Sequence, residues 1–189
     1  MNATRSLLQR KYQATYFFSV LILAELFEKA AGVTWSNSGF DDDRVTTGLT
    51  FEYVTSPKPT SWTSGDAGIL LVKQGSDEWG GLQSSNGNNY VGLQGRHAYV
   101  TQTASDLTIG RSHVVSFKVA SRPGYSAQQQ ITITQDGTTI YDDYPSQFAF
   151  EDMSSQFTPT SSSVVFKVEN LSPSNVDSTV FIDAFLVYE

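Results

Sequence analysis

Cysteine is absent from the 189-residue chain, and this absence removes several kinds of protein from consideration. Without cysteine there is no disulfide framework, no zinc–thiolate site and no cysteine nucleophile. Basic residues are also few, since 12 Lys plus Arg stand against 19 Asp plus Glu and give a net charge of −7. Nucleic acid is therefore excluded as the expected partner, because its phosphates would be repelled.

Motifs of the common catalytic sites are missing as well. The chain has two histidines, His97 and His113, and they lack the spacing of metal ligands. Neither a Gly-x-Ser-x-Gly elbow nor a His-Glu-x-x-His helix occurs. Adjacent residues on a strand point to opposite faces, so the acid pairs at 142–143 and 151–152 cannot flank a substrate by themselves. The sequence therefore predicts a protein that is not an enzyme.

What the chain does contain is typical of an extracellular β domain. Charged residues make up only 16% of the sequence, while aromatic residues reach 13% and small polar residues are abundant. This profile disfavours a helical cytosolic enzyme and a disordered chain. The length suits one domain with a short extension, and a domain of roughly 155 residues can bury a core without disulfides.

The first 32 residues differ from the rest. Three basic residues precede an apolar run at residues 14–24, and Ala-Ala-Gly follows at 30–32. This order is typical of a signal peptide cleaved after Gly32. An anchor that spans residues 12–32 and an amphipathic helix that docks on protein stay open as alternatives. We therefore divide the chain into residues 1–32, a signal peptide or a membrane or docking helix, and a binding domain at residues 33–189.

After Gly32, short β-branched and aromatic runs alternate with turn residues at the spacing of a β-sandwich. Val115, Phe117 and Val119 share one face of a strand, which indicates one buried and one solvated side. Asp-Gly at 136–137 predicts a two-residue hairpin turn. The predicted strands are residues 49–54, 69–73, 89–93, 97–103, 113–120, 130–135, 138–141, 148–150, 156–158, 163–169 and 179–188.

Six segments, taken in order, resemble the motif series of galactose-binding-like jelly rolls. They are residues 38–41 (Ser-Gly-Phe-Asp), 59–62 (Pro-Thr-Ser-Trp), 86–93 (Asn-Gly-Asn-Asn-Tyr-Val-Gly-Leu), 99–103 (Tyr-Val-Thr-Gln-Thr), 107–120 and 181–185 (Phe-Ile-Asp-Ala-Phe). The series covers nearly all of residues 36–189. It is most similar to carbohydrate-binding modules and to a plant cell-wall family of undefined function.

The resemblance implies an extracellular antiparallel jelly-roll β-sandwich, of a kind that often binds glycans and often carries a structural calcium ion. In that family the ion lies between the opening of the chain and its last strand, which implies Asp41 and Asp183 as the metal ligands here. The family's opening glutamate is Asp41 in this chain, and its closing asparagine is Ala184. Asp183 also lies among apolar neighbours, where an unpaired charge is costly. An exposed carboxylate or a partner for Lys or Arg stays open as its alternative.

Sugar binding needs aromatic rings that cover the apolar face of a pyranose and planar polar groups that bond its hydroxyls. Trp79 is the most suggestive ring, because it lies in a polar, glycine-flanked segment, Asp-Glu-Trp-Gly-Gly. A place in the core is the alternative for each ring, since aromatics dominate cores. The predicted ligand-binding residues are Trp79, Tyr90, Gln94, Arg122, Tyr125 and Gln128.

We therefore expect a non-catalytic, secreted carbohydrate-binding domain, with calcium as the implied structural ion and a cell-surface or cell-wall polysaccharide as partner. The alternative is a structural subunit of an extracellular or membrane-associated assembly, anchored through the N-terminal helix, whose sandwich contacts other proteins. The membrane is a partner only if residues 12–32 are retained.

Overall fold

Eleven β-strands and one short 3₁₀ helix, Asp77–Trp79, make up the regular structure of the described residues. The structure is a computed structural model, and it describes residues 33–55, 57–65, 68–126, 128–174 and 177–189. The segment predicted at residues 1–32 lies outside these ranges. Within them, no helix has the length and apolar character that crossing a membrane requires. The strands are β1 Phe51–Tyr53, β2 Thr63–Ser64, β3 Ile69–Lys73, β4 Asn89–Gln94, β5 Tyr99–Ser105, β6 His113–Ser121, β7 Ile131–Gln135, β8 Thr138–Asp143, β9 Glu151–Phe157, β10 Ser163–Asn170 and β11 Thr179–Tyr188.

The strands form two antiparallel sheets that enclose the core. The six-stranded sheet has the order β1-β3-β4-β11-β6-β9, and the five-stranded sheet has the order β2-β5-β10-β7-β8. The chain crosses repeatedly between the sheets, for example from β4 to β5 and from β10 to β11. This arrangement confirms the predicted antiparallel β-sandwich.

The core between the sheets follows from the alternation of apolar residues along the strands. Val115, Phe117 and Val119 of β6 are at most 3% exposed, as their shared face predicts. Phe185 of β11 lies at the centre, with its ring 5.6 Å from that of Phe117 and 5.6 Å from that of Phe166 on the opposite sheet. Burial of a side chain of this size contributes about 1.5–3 kcal/mol. The two sheets are therefore joined largely by aromatic packing.

The turn between β7 and β8 has the conformation that its sequence predicts. Asp136 and Gly137 take positive φ angles of 46° and 80°. Such angles are the ones that a tight two-residue hairpin requires, and Asp and Gly tolerate them best. The hairpin expected at 136–137 is confirmed.

Two regions differ from the sequence expectation. The short strand β2, Thr63–Ser64, lies where no strand was predicted, and the region around β9 is divided differently. The predicted strands at 148–150 and 156–158 are replaced by the single strand β9, and Phe148 lies in the loop before it. The exposed and partly buried residues of β9 alternate, and it pairs only with β6, at an edge of its sheet. An edge strand of this kind needs few apolar residues, so its hydrophobic pattern is weak.

Strand β11 contains a β-bulge, and this bulge decides which side chains face the core. The pairing of β11 with β6 shifts register between Asp183 and Leu186, and Ala184 within this stretch has a φ of +48°. One extra residue reverses the in–out alternation of the strand. As a result Asp183 stays on the outer face of the six-stranded sheet, whereas Phe185 enters the core.

Replacement of Ala184 by glycine is expected to stabilise the domain by about 0.5–1 kcal/mol. A left-handed backbone costs a residue with a Cβ about 1–2 kcal/mol, and the greater entropy of glycine in the unfolded chain offsets part of the relief. Chemical denaturation of the Ala184→Gly variant measures the change. Ala104→Gly is the control, because Ala104 is fully buried in a regular strand and should lose stability. Equal destabilisation of both variants would show that the bulge carries no strain.

Candidate functional site

A second apolar cluster covers part of the outer face of the six-stranded sheet. Trp79 and Tyr90 belong to it and are 3% and 0% exposed. The Trp79 ring packs against Phe51 at 5.2 Å, and the Tyr90 ring packs against Phe150 at 5.2 Å and Phe181 at 5.1 Å. The prediction of these two rings as sugar platforms is therefore corrected, because their faces are covered by protein. Their alternative, a place in the core, is the one that the structure shows.

Arg122 joins Trp79 to Tyr125 in a three-layer stack. Its guanidinium carbon lies 4.0 Å from the ring centroid of Trp79 and 3.9 Å from that of Tyr125. A guanidinium Nη2 also donates to the carbonyl of Glu78 at 3.0 Å. Gly80 permits the close approach of these segments, since a Cβ there would lie 2.5 Å from the ring of Pro123. Three of the predicted ligand-binding residues are thus brought together, with Tyr125 outermost and 41% exposed.

Gln94 and Arg122 lie at the same end of the six-stranded sheet, where β11 separates β4 from the end of β6. Thr179 pairs with Gln94, and the backbone N–H of Arg122 donates to the carbonyl of Thr179 at 3.0 Å. The separation across two strand spacings is about 10 Å. Gln94 accepts a hydrogen bond from the hydroxyl of Tyr53, a residue that is 59% exposed. Gln128 is exposed on the Tyr125 loop, where its backbone N–H bonds the Ser126 hydroxyl at 3.1 Å.

Phe148 is a surface aromatic residue that the sequence reading placed in a strand. It is 94% exposed. Its neighbour Gln147 ties this loop to the Tyr125 loop, because the Gln147 side-chain amide donates to the carbonyls of Tyr125 at 3.2 Å and Ser126 at 2.8 Å. Pro145 was the available signal, since proline disfavours a continuing strand. We call Arg122, Tyr125 and Phe148 the loop platform.

Asp183 is a fully buried carboxylate that no described Lys or Arg neutralises. It accepts hydrogen bonds from the backbone N–H of Ala184 at 2.7 Å, from Asn86 at 3.4 Å and from the hydroxyl of Ser84. Burial raises the pKa of Asp183 to about 7; these hydrogen bonds oppose the rise, and the charge of Asp41 adds to it. The exposed carboxylate and the Lys or Arg partner considered for Asp183 are both excluded.

Asp41 and Asp183, the two predicted metal ligands, both lie near the side-chain amide of Asn86. This amide nitrogen is 3.4 Å from an Asp183 oxygen, and a Cβ on Gly39 would lie 2.4 Å from the same nitrogen and 3.3 Å from an Asp41 oxygen. One oxygen of Asp41 accepts hydrogen bonds from the backbone N–H groups of Asn88 at 2.7 Å and Asn89 at 3.2 Å. Gly87 makes this approach possible, because a Cβ there would lie 1.4 Å from an Asp41 oxygen. The opening segment and the last strand therefore meet at one end of the sandwich.

The amide nitrogen of Gln74 lies among four oxygen atoms beside this acid pair. Its distances are 2.9 Å to the Ser84 hydroxyl, 3.1 and 3.3 Å to the carbonyls of Asn86 and Asn89, and 3.2 Å to the Asp183 carboxylate. No three acidic or imidazole side chains converge in the described residues. Calcium sites, however, combine carboxylates with backbone carbonyl oxygens. The oxygens around the Gln74 amide nitrogen, namely one carboxylate, two carbonyls and a hydroxyl, therefore include ligand types that calcium uses.

In the acid pairs at 142–143 and 151–152, which a hydrolase could use, the carboxylates bind other groups of the chain. Asp142 accepts from the Thr132 hydroxyl at 2.8 Å, and Asp152 binds the Lys118 ammonium at 2.5 Å. Glu151 accepts the backbone N–H of Ser146 at 3.1 Å. These carboxylates serve the strands and loops that carry them.

The fold of the domain is similar to that of several solved β-sandwich modules, whereas no family model and no curated protein matches the chain. The CBM22-1 xylan-binding domain from Paenibacillus barcinonensis Xyn10C shares 14% identity over 80% of this chain and 90% of its own, with a TM-score of 0.50. TmCBM61, solved in complex with β-1,4-galactotriose, shares 12% over 82% and 97% of the two chains, with a TM-score of 0.51. The K2 cleaved adhesin domain of Lys-gingipain shares 14% over 80% and 96%, with a TM-score of 0.51.

At such low identity these similarities concern the fold. The two antiparallel sheets, their strand order and these structural neighbours agree with the motif series read from the sequence. The described domain has the fold of a jelly-roll β-sandwich.

Proposed function

We propose that this domain is a non-catalytic, extracellular carbohydrate-binding module whose glycan site is the loop platform. The observation that carries the proposal is the Tyr125 ring, which rests on the Arg122 guanidinium at 3.9 Å and is 41% exposed. A ring supported from behind and open in front suits the apolar face of a pyranose. Phe148, 94% exposed on the neighbouring loop, offers a second apolar surface.

Polar groups around the loop platform supply the other half of sugar recognition. The amide side chain of Gln128 lies on the Tyr125 loop and is exposed, so it can both donate to and accept from hydroxyls. Gln94, about 10 Å from Arg122 across two strands, is placed to contact a further sugar unit. An extended oligosaccharide therefore suits this end of the sheet better than a single monosaccharide.

The structural neighbours support a glycan as the partner. One is described as a xylan-binding domain, and another was solved with β-1,4-galactotriose bound. The internal bonding of Asp142, Glu151 and Asp152 supports a non-catalytic role. The low charge content of 16% and the signal peptide predicted before Val33 support an extracellular location.

Replacement of Tyr125 by alanine is expected to weaken binding to β-1,4-galactan or xylan about tenfold, because an aromatic stacking surface is lost. Phe148→Ala should weaken it in the same direction. Affinity electrophoresis and calorimetry on the full chain measure both effects. The control is Ile109→Ala, which removes an apolar side chain that is 61% exposed. Ile109 lies on the loop before β6, whereas Arg122 and Tyr125 of the loop platform follow the other end of β6. Unchanged affinity in both aromatic variants would exclude the loop platform.

A second candidate is the structural subunit of an extracellular or membrane-associated assembly. The nearly complete exposure of Phe148, with Tyr144 53% exposed in the same loop, favours it, because exposed aromatic groups are enriched in protein interfaces. Mass spectrometry of the native N-terminus separates the two candidates. A start at Val33 is expected for the secreted module, whereas a retained Met1 or Asn2 would favour the assembly.

Calcium is the ion that we propose for the oxygen cluster around Asp183. Asp41 and Asp183 would supply the carboxylates, with carbonyl oxygens of Asn86 and Asn89 beside them. The oxygens of Asp183, Asn86 and Asn89 surround the Gln74 amide nitrogen, so the ion would displace this amide, and Asp41 would join its ligands from the opening segment. Its role there is structural, because it would neutralise a buried carboxylate and join the opening segment to the last strand.

Asp183 should lower the stability of the domain as pH rises in the absence of calcium, and calcium should restore stability at high pH. In EDTA the folded state holds the Asp183 proton up to a pKa of about 7, against about 4 when unfolded, so the stability it contributes is full below pH 4 and lost as pH rises through 7. A difference of about three between the unfolded and folded pKa values corresponds to a loss of free energy of unfolding on the order of 4 kcal/mol. At pH 8, calcium in hundredfold excess over its Kd should raise Tm by about 5 °C or more.

The Asp183→Asn variant should lose both the slope in EDTA and the response to calcium, because Asn cannot ionise. Asp42→Asn is the matched control, since Asp42 is exposed and only one residue from Asp41. Differential scanning calorimetry across pH in each buffer gives the comparison. A calcium response that survives in Asp183→Asn would rule out this cluster as the ion site.

A further inference from the structure

A cavity of about 380 Å³ opens beside Asp41 at the end of the sandwich where β3 ends and β4 begins. Its size falls in the range of small-molecule sites. Lys73 ends β3 and pairs with Asn89 at the start of β4. The cavity is lined by Asp41, Arg44, Val45, Lys73, Asn88 and Asn89.

Two cations line this cavity without an acid partner. Four ion pairs occur among the described residues, and none includes Arg44 or Lys73. Both side chains are exposed in a chain whose net charge is −7. Because both cations line the same concavity, they give it a local positive charge in a chain whose net charge is negative.

The single acid of the cavity is partly satisfied by the protein itself. One oxygen of Asp41 accepts hydrogen bonds from the backbone N–H groups of Asn88 and Asn89. Two cations and one carboxylate leave a net charge of +1 for an incoming group. The planar guanidinium of Arg44 matches the geometry of a carboxylate or a sulfate, and the Lys73 ammonium adds a point charge.

We propose that this cavity binds the anionic group of an acidic sugar, either the carboxylate of a uronic acid or a sulfate ester. Arg44 and Lys73 bind the anion, Asn88 bonds neighbouring hydroxyls, and the half-buried Val45 contacts the apolar side of the ring. The site is separate from the loop platform. It adjoins Asn89 at the start of β4, whereas Arg122 of the loop platform lies level with Gln94 at the end of β4, about 17 Å along the strand. It does not require the loop platform to bind glycan.

Nuclear magnetic resonance titration of the ¹⁵N-labelled full chain tests this site. The probes are sodium galacturonate, galactose 6-sulfate and galactose, each added in EDTA so that no divalent cation can bridge ligand and protein. We expect saturable shifts of the Arg44, Asn88 and Asn89 amides with an anionic sugar and none with galactose. Added NaCl should weaken the effect, because exposed charges are screened. A response to only one of the two anions identifies carboxylate or sulfate as the source.

The variants Arg44→Gln and Lys73→Gln should each weaken binding about tenfold, because each loses a charge-assisted hydrogen bond. Arg111→Gln is the matched control, since Arg111 is exposed, belongs to none of the described ion pairs and does not line the cavity. Its affinity should change less than twofold. Four results would overturn the proposal: no saturable shift, equal shifts with galactose, an equal loss in Arg111→Gln, or binding that needs added calcium.

Discussion

One extra residue in the last strand sets the arrangement of both the core and the Asp183 cluster. A regular strand would place Phe181, Asp183 and Phe185 on the same face. The bulge at Ala184 separates them, so that Phe185 packs between the sheets while Asp183 remains on the outer face. A buried charge and a central core ring thus lie two residues apart without either compromising the environment of the other.

The same bulge joins the beginning of the domain to its end. The backbone N–H of Phe185 donates to the carbonyl of Ser38 at 2.9 Å, and the Trp35 indole N–H donates to the carbonyl of Phe185 at 2.7 Å. Asp41 follows three residues after Ser38, which brings it to Asp183. Ala184 adopts a left-handed backbone at a cost, and asparagine, which the resembled motif has at this position, tolerates such a backbone better. The residue at this position therefore bears on the shape of the backbone at the bulge.

Local patterns predicted the features that depend on local physics, namely the alternation in β6 and the Asp-Gly hairpin. The prediction of exposed and buried aromatic side chains failed where burial depends on segments that are distant in sequence. Trp79 and Tyr90 became core residues because loops cover the outer face of the sheet, which no spacing rule shows. Phe148 was misread because an edge strand follows it. The convergence of Arg44 and Lys73 comes from the meeting of the opening segment with β3, a contact distant in sequence.

The burial of Trp79 gives this residue a different part in the loop platform from the one its sequence context indicated. It supports Arg122 from below, and Arg122 in turn supports Tyr125. Ordering a side chain on binding costs about 0.5–1.5 kcal/mol, so a ring already held in place loses less when a ligand arrives. The Gln147 bonds restrain the loop of Tyr125 in the same way. In the proposed glycan site, the buried tryptophan would contribute to affinity through rigidity, because it helps to fix the ring that the ligand would touch.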